Sequence, residues 1–251
     1  MVKETFYDKY PFYYEDEEKK SLVLNHFPLG RFIKQYIKED SILVDVGCGC
    51  GIKAKYILDT VKVKNYTAID FSIKSLEIAK ANNHSIRAIH ASALNIPLGD
   101  DFADIVISDG VIHHTDSPYT SFKEIARIAK KGAKIYISTY NREHLFYWAY
   151  RFASVLRFLR RIHLDILNKV IAFPPFYVFW MQLGTLMLYK KFKFIHVKEA
   201  WLTFNDNLMT PIARYYYRDE ILLWCDVNKL KVLETTTYVY GQMLSYVLEK
   251  E

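Results

Sequence analysis

At 251 residues and 29.6 kDa, with 51% hydrophobic and 25% charged residues, the chain can bury one sizeable core and is too apolar to be disordered. Its net charge of +6 is mild, and an odd set of three cysteines (Cys48, Cys50, Cys225) excludes a disulfide framework and fits a reducing compartment. The opening Met1-Val2-Lys3-Glu4-Thr5 runs into acidic residues without an apolar core, so no signal peptide is expected and the cytoplasm is the expected location.

Residues 1–40 combine aromatics, a charged patch and an amphipathic run, read as a lid-like segment followed by a helix over 28–37. The β-branched run 41–46 predicts a buried parallel strand. A helix over 52–60, a strand over 66–70 and a helix over 72–82, with Ser72 as N-cap, follow it. Strands are expected at 85–90 and 103–108, then a helix over 119–130 stopped by Lys131-Gly132, and a fifth strand at 133–139. Residues 141–195 interrupt the alternation, which resumes with a helix over 218–226 and strands at 231–238 and 243–249. The pattern predicts a doubly wound, Rossmann-like α/β fold. Its sheet has seven strands, mostly parallel with one antiparallel, and a helical hydrophobic insertion follows the fifth. The expected parts are a lid and helix at 1–40, a ligand-binding core at 41–140, an aromatic and basic cap at 141–195, and a completion of the sheet at 196–251.

The sharpest signal is Val44-Asp45-Val46-Gly47-Cys48-Gly49-Cys50-Gly51, between a predicted strand and a predicted helix. Alternate glycines permit a tight turn and close approach of a ligand, and the helix behind them supplies unpaired N–H groups and positive potential. Asp70 ends the next strand, 19 residues past Gly51, where a carboxylate can bind ribose hydroxyls. A plain strand–helix turn is the structural alternative, but the strand, helix and spaced acid occur together. The loop lacks the Gly-x-Gly-x-x-Gly spacing of nicotinamide sites. Asp45, two residues ahead of the first glycine, can instead receive the ammonium of an amino-acid-bearing cofactor. Cys48 and Cys50 do not offer the four ligands at wider spacing that zinc takes, so no metal is expected and they read as small fillers of the loop.

With these residues in place, the sequence resembles the class I S-adenosylmethionine-dependent methyltransferases, and most of all their type 11 group. The likeness covers 40–140 well and 215–251 loosely. It implies S-adenosyl-L-methionine as cofactor, with Asp45, Gly47, Cys48, Gly49 and Gly51 around its methionine part. By the same resemblance Asp70 binds the ribose and Phe71 lies beside the adenine. Ser92, Ala93 and Leu94 fall in the stretch near the adenine amine, with Ser92 where the family usually has an aspartate. Asp109 and Gly110 belong to a segment, 102–114, expected beside the methylsulfonium.

His113 and His114 close that segment, at the carboxyl end of a predicted strand, where either can serve as a base if the acceptor must lose a proton. They equally well shape the loop. Asp109 can orient the acceptor or cap the next turn, and Tyr7, Tyr10 and Tyr13 either close over the cofactor or fill the core.

The insertion bears on the acceptor. Residues 145–161 read as one helix with Trp148, Phe152, Val155, Leu156 and Leu159 on one arc and Arg151, Arg157, Arg160 and Arg161 on the rest. That is a membrane-surface or partner-binding pattern, or a helix packed on its own domain with a solvated basic face. Residues 170–189 carry no charge, but a single membrane span would split one sheet across the bilayer, and Pro174-Pro175 break the helix. A hydrophobic cap or a shallow membrane-dipping hairpin is expected over 145–193. The leading reading is methylation of a small-molecule or lipid-linked acceptor, with oxygen favoured as the accepting atom. A second is a tRNA methyltransferase of the wobble-uridine type, since Val111-Ile112-His113-His114 and Arg214-Tyr215-Tyr216-Tyr217 resemble those enzymes and the positive charge suits nucleic acid. A third is a non-catalytic cofactor-binding subunit that positions a partner.

Overall fold

The computed structural model describes residues 6–9, 28–178, 196–239 and 241–251. The described residues of Met1–His144 and Ile212–Glu251 form one compact unit, and those of Leu145–Pro211 a second.

The first unit opens with a helical turn, Phe6–Lys9, and helix α1 (Pro28–Tyr36). Strand β1 (Ile42–Val46), helix α2 (Ile52–Val61), strand β2 (Asn65–Asp70), helix α3 (Ile73–Asn82) and strand β3 (Arg87–His90) alternate as their sequences predict. Ser72 caps α3: its hydroxyl accepts from Ser75 N (3.1 Å) and donates to the Asp8 carboxylate (2.6 Å). Strand β4 (Ala103–Asp109), helix α4 (Pro118–Ile128) and strand β5 (Ala129–Asn141) follow. Beyond the second unit come strand β6 (Tyr215–Tyr216), helix α8 (Arg218–Val227), and strands β7 (Leu230–Tyr238) and β8 (Met243–Lys250).

The strands lie in the order β3-β2-β1-β4-β5-β8-β7, with the two-residue β6 pairing beside β5. Strand β8 runs antiparallel to both its neighbours and all other pairings are parallel. The expected mostly parallel sheet with one reversed strand is therefore present, with β6 as an unforeseen addition. Strand β1 is buried on both faces, as a parallel strand between crossover helices must be. Leu43 packs with Phe32, Ile57 and Leu76 of α1, α2 and α3, while Val44 and Val46 pack with Phe122 and Ile125 of α4 and Ile221 of α8.

Lys131-Gly132 does not stop a helix. Helix α4 ends at Ile128 and β5 begins at once, with Gly132 at φ +80° inside the strand. The β4–β5 register jumps there from Ala103↔Ala129 to Ile105↔Lys134, so the glycine serves a bulge.

In the second unit the single helix expected over 145–161 is two, α5 (Phe146–Phe152) and α6 (Ser154–Arg161), and helix α7 (Val197–Phe204) belongs with them. The unit continues to Pro211, where the sequence reading ends its insertion at 195. Phe176, Ala200, Phe204 and Met209 form its small core, with Leu156, Phe173 and Trp201 against them. The amphipathic assignment holds only in part over α5 and α6: Leu156 packs against the small core and Arg151 and Arg161 are exposed as expected, while other positions depart from it. Trp148, Phe152, Val155 and Phe158 are exposed, at 52%, 76%, 62% and 59%. Arg157 instead stacks on Tyr150 (3.8 Å to the ring centre) and donates to the Leu208 carbonyl (2.8 Å), and Arg160 donates to the Asn205 side-chain oxygen (2.7 Å). Carbonyls and an amide left over in a small core draw the guanidinium groups inward, so no continuous basic face forms. Residues 170–178 continue in helical turns through Pro174-Pro175, and the rest of the uncharged stretch to 189 lies outside the described residues.

At Gly47, φ is +74° and an added Cβ would come within 2.3 Å of Val111 Cγ2. Gly47→Ala is expected to cost more than about 2 kcal/mol, from the left-handed backbone and the collision together. Chemical denaturation of the variant measures it.

Candidate active site

Open parallel sheets bind ligands beyond the carboxyl ends of their strands, where the strand order reverses. Here that point lies between β1 and β4. The loop after β1 is held by its own backbone: Gly47 N and Cys48 N both donate to the Ile69 carbonyl of β2 (2.7 and 3.0 Å). Gly49 and Gly110, after β1 and β4, have φ of +54° and +77°, and a Cβ at either would meet nothing within 4 Å. These two glycines face open space, in contrast to Gly47.

Asp70, at the end of β2, accepts from Gly49 N and from Ser72 N, each at 2.8 Å. Burial pushes its carboxyl above the usual range while the two N–H groups pull it back. Phe71 follows with its ring 59% exposed and His90 at 6.1 Å. After β3, Ala91 N donates to the Asp70 carbonyl (3.1 Å), and the Ser92 hydroxyl accepts from Leu94 N (3.1 Å), shaping the turn through Ala93. Asp109 ends β4 and accepts from the hydroxyls of Ser138 (2.6 Å) and Tyr238 (3.1 Å); the Ser138 oxygen also accepts from Gly110 N (2.8 Å). The residues expected from the sequence thus gather along the carboxyl edge of four adjacent strands.

Asp45 is different. It is fully buried, and its carboxylate accepts from the Tyr66 hydroxyl (2.9 Å) and pairs with the Lys53 ammonium (3.2 Å). As placed, it offers no surface to a ligand, whereas the Lys53 side chain is 15% exposed. Burial works against the Lys53 ammonium, but the Asp45 and Asp109 carboxylates outweigh it and raise its pKa. Neither Lys53 nor Tyr66 stood out in the sequence. A signal was available: Lys53 is the second residue of α2, where the helix dipole disfavours a cation, so an acid had to be near. Burial pushes the Cys50 thiol up to about 11 and Cys48 well up as well, which keeps both protonated at neutral pH.

His113 and His114 sit in a short 3₁₀ turn after β4. His113 is fully buried between His114 (ring centres 4.2 Å) and Tyr140 (4.0 Å), and neither of its nitrogens makes a well-formed hydrogen bond. His114 Nδ1 lies 2.7 Å from the Ile212 carbonyl, so Nδ1 carries the proton and Nε2 keeps the lone pair. The segment 212–216 fastens this pair. Arg214 N donates to the His113 carbonyl (2.9 Å), and Tyr215 stacks on Tyr140 at 5.1 Å. The chain thereby joins the two stretches singled out in the sequence, 111–114 and 214–217. Tyr7 lies 6.1 Å from His114, edge-on; Tyr10 and Tyr13 fall outside the described residues. Burial lowers His114 to about 4 and His113 well below its usual value, so both are neutral at pH 7.

A methyltransferase-domain family model matches residues 44–137. Those residues are similar to methyltransferase domains, and the fold they build is that of the class I S-adenosylmethionine-dependent enzymes. The chain is 34% identical over 97 residues to a chloroplastic 2-methyl-6-phytyl-1,4-hydroquinone methyltransferase of Arabidopsis thaliana, covering 38% of this chain and 29% of that protein. It is 31% identical over 134 residues to the human protein named "Probable tRNA methyltransferase 9B", covering 52% and 27%. It thus spans under a third of the length of either relative. In solved structures, the Haloferax volcanii methyltransferase crystallised with the Trm112 methyltransferase activator matches over 99% of both chains, with a TM-score of 0.62 and 16% identity, a likeness of fold.

The depressed histidines make stability depend on pH. The folded pKa of His114 lies near 4 against 6.5 unfolded, so the unfolded chain binds the proton first as pH falls. Stability is complete above about pH 7 and declines from 6.5 down through 4, by up to about 3 kcal/mol for this group. Urea midpoints at pH 7 and pH 5 should fall for the native protein and fall less for His114→Gln.

Proposed function

We propose that the protein transfers the methyl group of S-adenosylmethionine to an apolar small-molecule or lipid-linked acceptor, with oxygen as the accepting atom, and works at the surface of a membrane. One observation carries the acceptor class: the second unit leaves Leu145, Phe152, Val155, Phe158, Ile166, Val170 and Ile171 exposed at 59–80%. Patches of this kind mark membrane or apolar-ligand contacts. A relative named for a phytyl hydroquinone lends support. No described helix is long and apolar enough to cross a membrane, which fits contact from one side.

The residues present fit the cofactor. Two glycines leave open space beside the loop, a carboxylate stands where ribose hydroxyls need acceptors, and an exposed aromatic ring offers a stacking face. Gly47 to Gly51, Asp70, Phe71, Ser92 to Leu94 and Asp109-Gly110 would hold it, with Asp45 acting from beneath. When bound, it supplies an electrophilic methyl on sulfonium. The protein's part is alignment of the acceptor nucleophile, which can account for much of the barrier. Asp109 is fixed by Ser138 and Tyr238 for that task. His114, neutral with Nε2 free of its proton, accepts one from an acceptor hydroxyl, and His113 packs behind it.

Asp70→Ala should weaken binding of S-adenosylhomocysteine by roughly 1.5–3 kcal/mol in calorimetry, with the fold retained. Unchanged affinity would move the site elsewhere.

A tRNA acceptor is the second reading, favoured by the fastened 111–114 and 214–217 pair and by a relative named for tRNA. Flotation separates the two. The protein should float with anionic liposomes, with a weaker salt dependence than four outward arginines would give because Arg157 and Arg160 face inward, and Phe152→Ser with Phe158→Ser should abolish this while sparing cofactor binding. A tRNA enzyme would ignore liposomes and bind tRNA with steep salt dependence. Cofactor binding without transfer to either acceptor would favour the partner-subunit reading.

A further inference from the structure

The helical turn Phe6–Lys9 makes two contacts that the proposed reaction leaves unused. One oxygen of Asp8 accepts from the Ser72 hydroxyl (2.6 Å) and from Lys74 N (3.3 Å), at the amino end of α3. Its neighbour Tyr7 lies edge-on to His114, with ring centres 6.1 Å apart. Helix α3 follows β2 and His114 follows β4, and β1 lies between those two strands in the sheet. Strands two apart are about 10 Å from each other, a gap that adjacent side chains reaching opposite ways can span. The turn therefore bridges the carboxyl edge on either side of the glycine loop. Phe6, Tyr7 and Asp8 are only half-buried, so the bridge is seated on the surface rather than rooted in the core.

We propose that Phe6–Lys9 is a strap that shuts over the cofactor, latched by Asp8 on the amino end of α3, and that its opening controls cofactor entry and exit. The inference rests on the cofactor reading above and deepens it by naming what governs exchange at that site. Ser72 ties the latch to the ligand. Its hydroxyl donates to Asp8 while its N–H donates to Asp70 (2.8 Å), the carboxylate assigned to the ribose. Ribose on Asp70 and the strap on Ser72 thus hold neighbouring groups from two sides, and each lowers the cost of ordering the other. A carboxylate beside the first turn of a helix is favoured by the dipole, which biases the latch towards closure. The same closure sets Tyr7 against His114, so trapping the cofactor also completes the wall beside the proposed base.

The test measures association and dissociation rates of S-adenosylhomocysteine on the full chain by surface plasmon resonance. A strap that is mostly shut slows entry by the fraction of time it is open, so loosening it raises both rates. Asp8→Ala should speed dissociation by about tenfold or more, as loss of hydrogen bonds to a charged group implies, and should speed association as well. Asp8→Asn, whose amide oxygen can still accept from Ser72 and Lys74, should restore most of the native rates. Tyr7→Ala leaves the α3 latch intact and should also raise both rates, which keeps the test decisive if Asp8→Ala loosens α3. In hydrogen exchange, S-adenosylhomocysteine should slow the Lys74 amide in the native protein and have little effect on it in Asp8→Ala. Native rates in both variants overturn the proposal. So does faster dissociation without faster association, which would make Asp8 only a cap of α3. Failure of S-adenosylhomocysteine to bind the native protein would instead sink the cofactor reading, and the strap with it.

Discussion

A carboxylate with no solvent exposure has to be paired, and the pairing of Asp45 ties together the elements on which the site depends. Its partners come from β2 through Tyr66 and from α2 through Lys53, while Asp45 itself is the penultimate residue of β1. Breaking such a pair by removing one partner costs about 3–5 kcal/mol, because the remaining charge stays buried. The same three elements frame the glycine loop, whose Gly47 and Cys48 amides hang on the Ile69 carbonyl one strand away. The loop therefore holds its left-handed turns by contacts on its inner side, and its outer side at Gly49 is left open. A rigid inner face and a vacant outer one are what a backbone needs to approach a ligand closely without rearranging on binding.

A second rigid cluster stands at the end of β4. The Tyr215–Tyr140–His113–His114 stack is locked by the main chain of 212–214, which reaches it from a segment about 100 residues away in sequence. Its interior is dry enough to keep both imidazoles neutral well below pH 7. A neutral imidazole with one nitrogen fixed on a carbonyl is a directional acceptor rather than a charge. Under the proposed cofactor reading that matters, since a cationic histidine there would oppose binding of a sulfonium.

Most of the sheet was legible in the sequence because parallel strands buried on two faces are mostly apolar runs, as in 42–46 and 103–108, and most of the turns between them carried a signal of their own. Ser72 was read as a cap and is one. Lys131-Gly132 misled because a glycine in a bulge and a glycine after a helix look alike without the neighbouring strand's register. Tyr215-Tyr216 is too short to show a period of two. Gly49 and Asp70 were recognisable from spacing, but Lys53 was not, because its partner Asp45 was assigned outward to a ligand rather than inward to the protein. Spacing along a chain says which residues meet at a strand end, and only packing decides which of them reaches solvent.

The departures in the second unit have the same origin. Helical periodicity sorts side chains into arcs without saying which arc faces the core, and hydrophobicity settles the choice only when the core is large enough to take the apolar arc. The core here is a handful of aromatics around Phe176 and Phe204, already edge-packed with Phe173 and Trp201. What it lacks is donors for the Leu208 carbonyl and the Asn205 side-chain oxygen, and Arg157 and Arg160 provide them. Satisfying buried acceptors outranks burying one more apolar side chain, because an unpaired buried oxygen costs about 1–3 kcal/mol while an exposed Phe or Val forgoes a comparable gain that another surface can still recover. Arg157 and Arg160 are turned in, and the apolar side chains the unit leaves outside gain their burial only when something other than this core covers them.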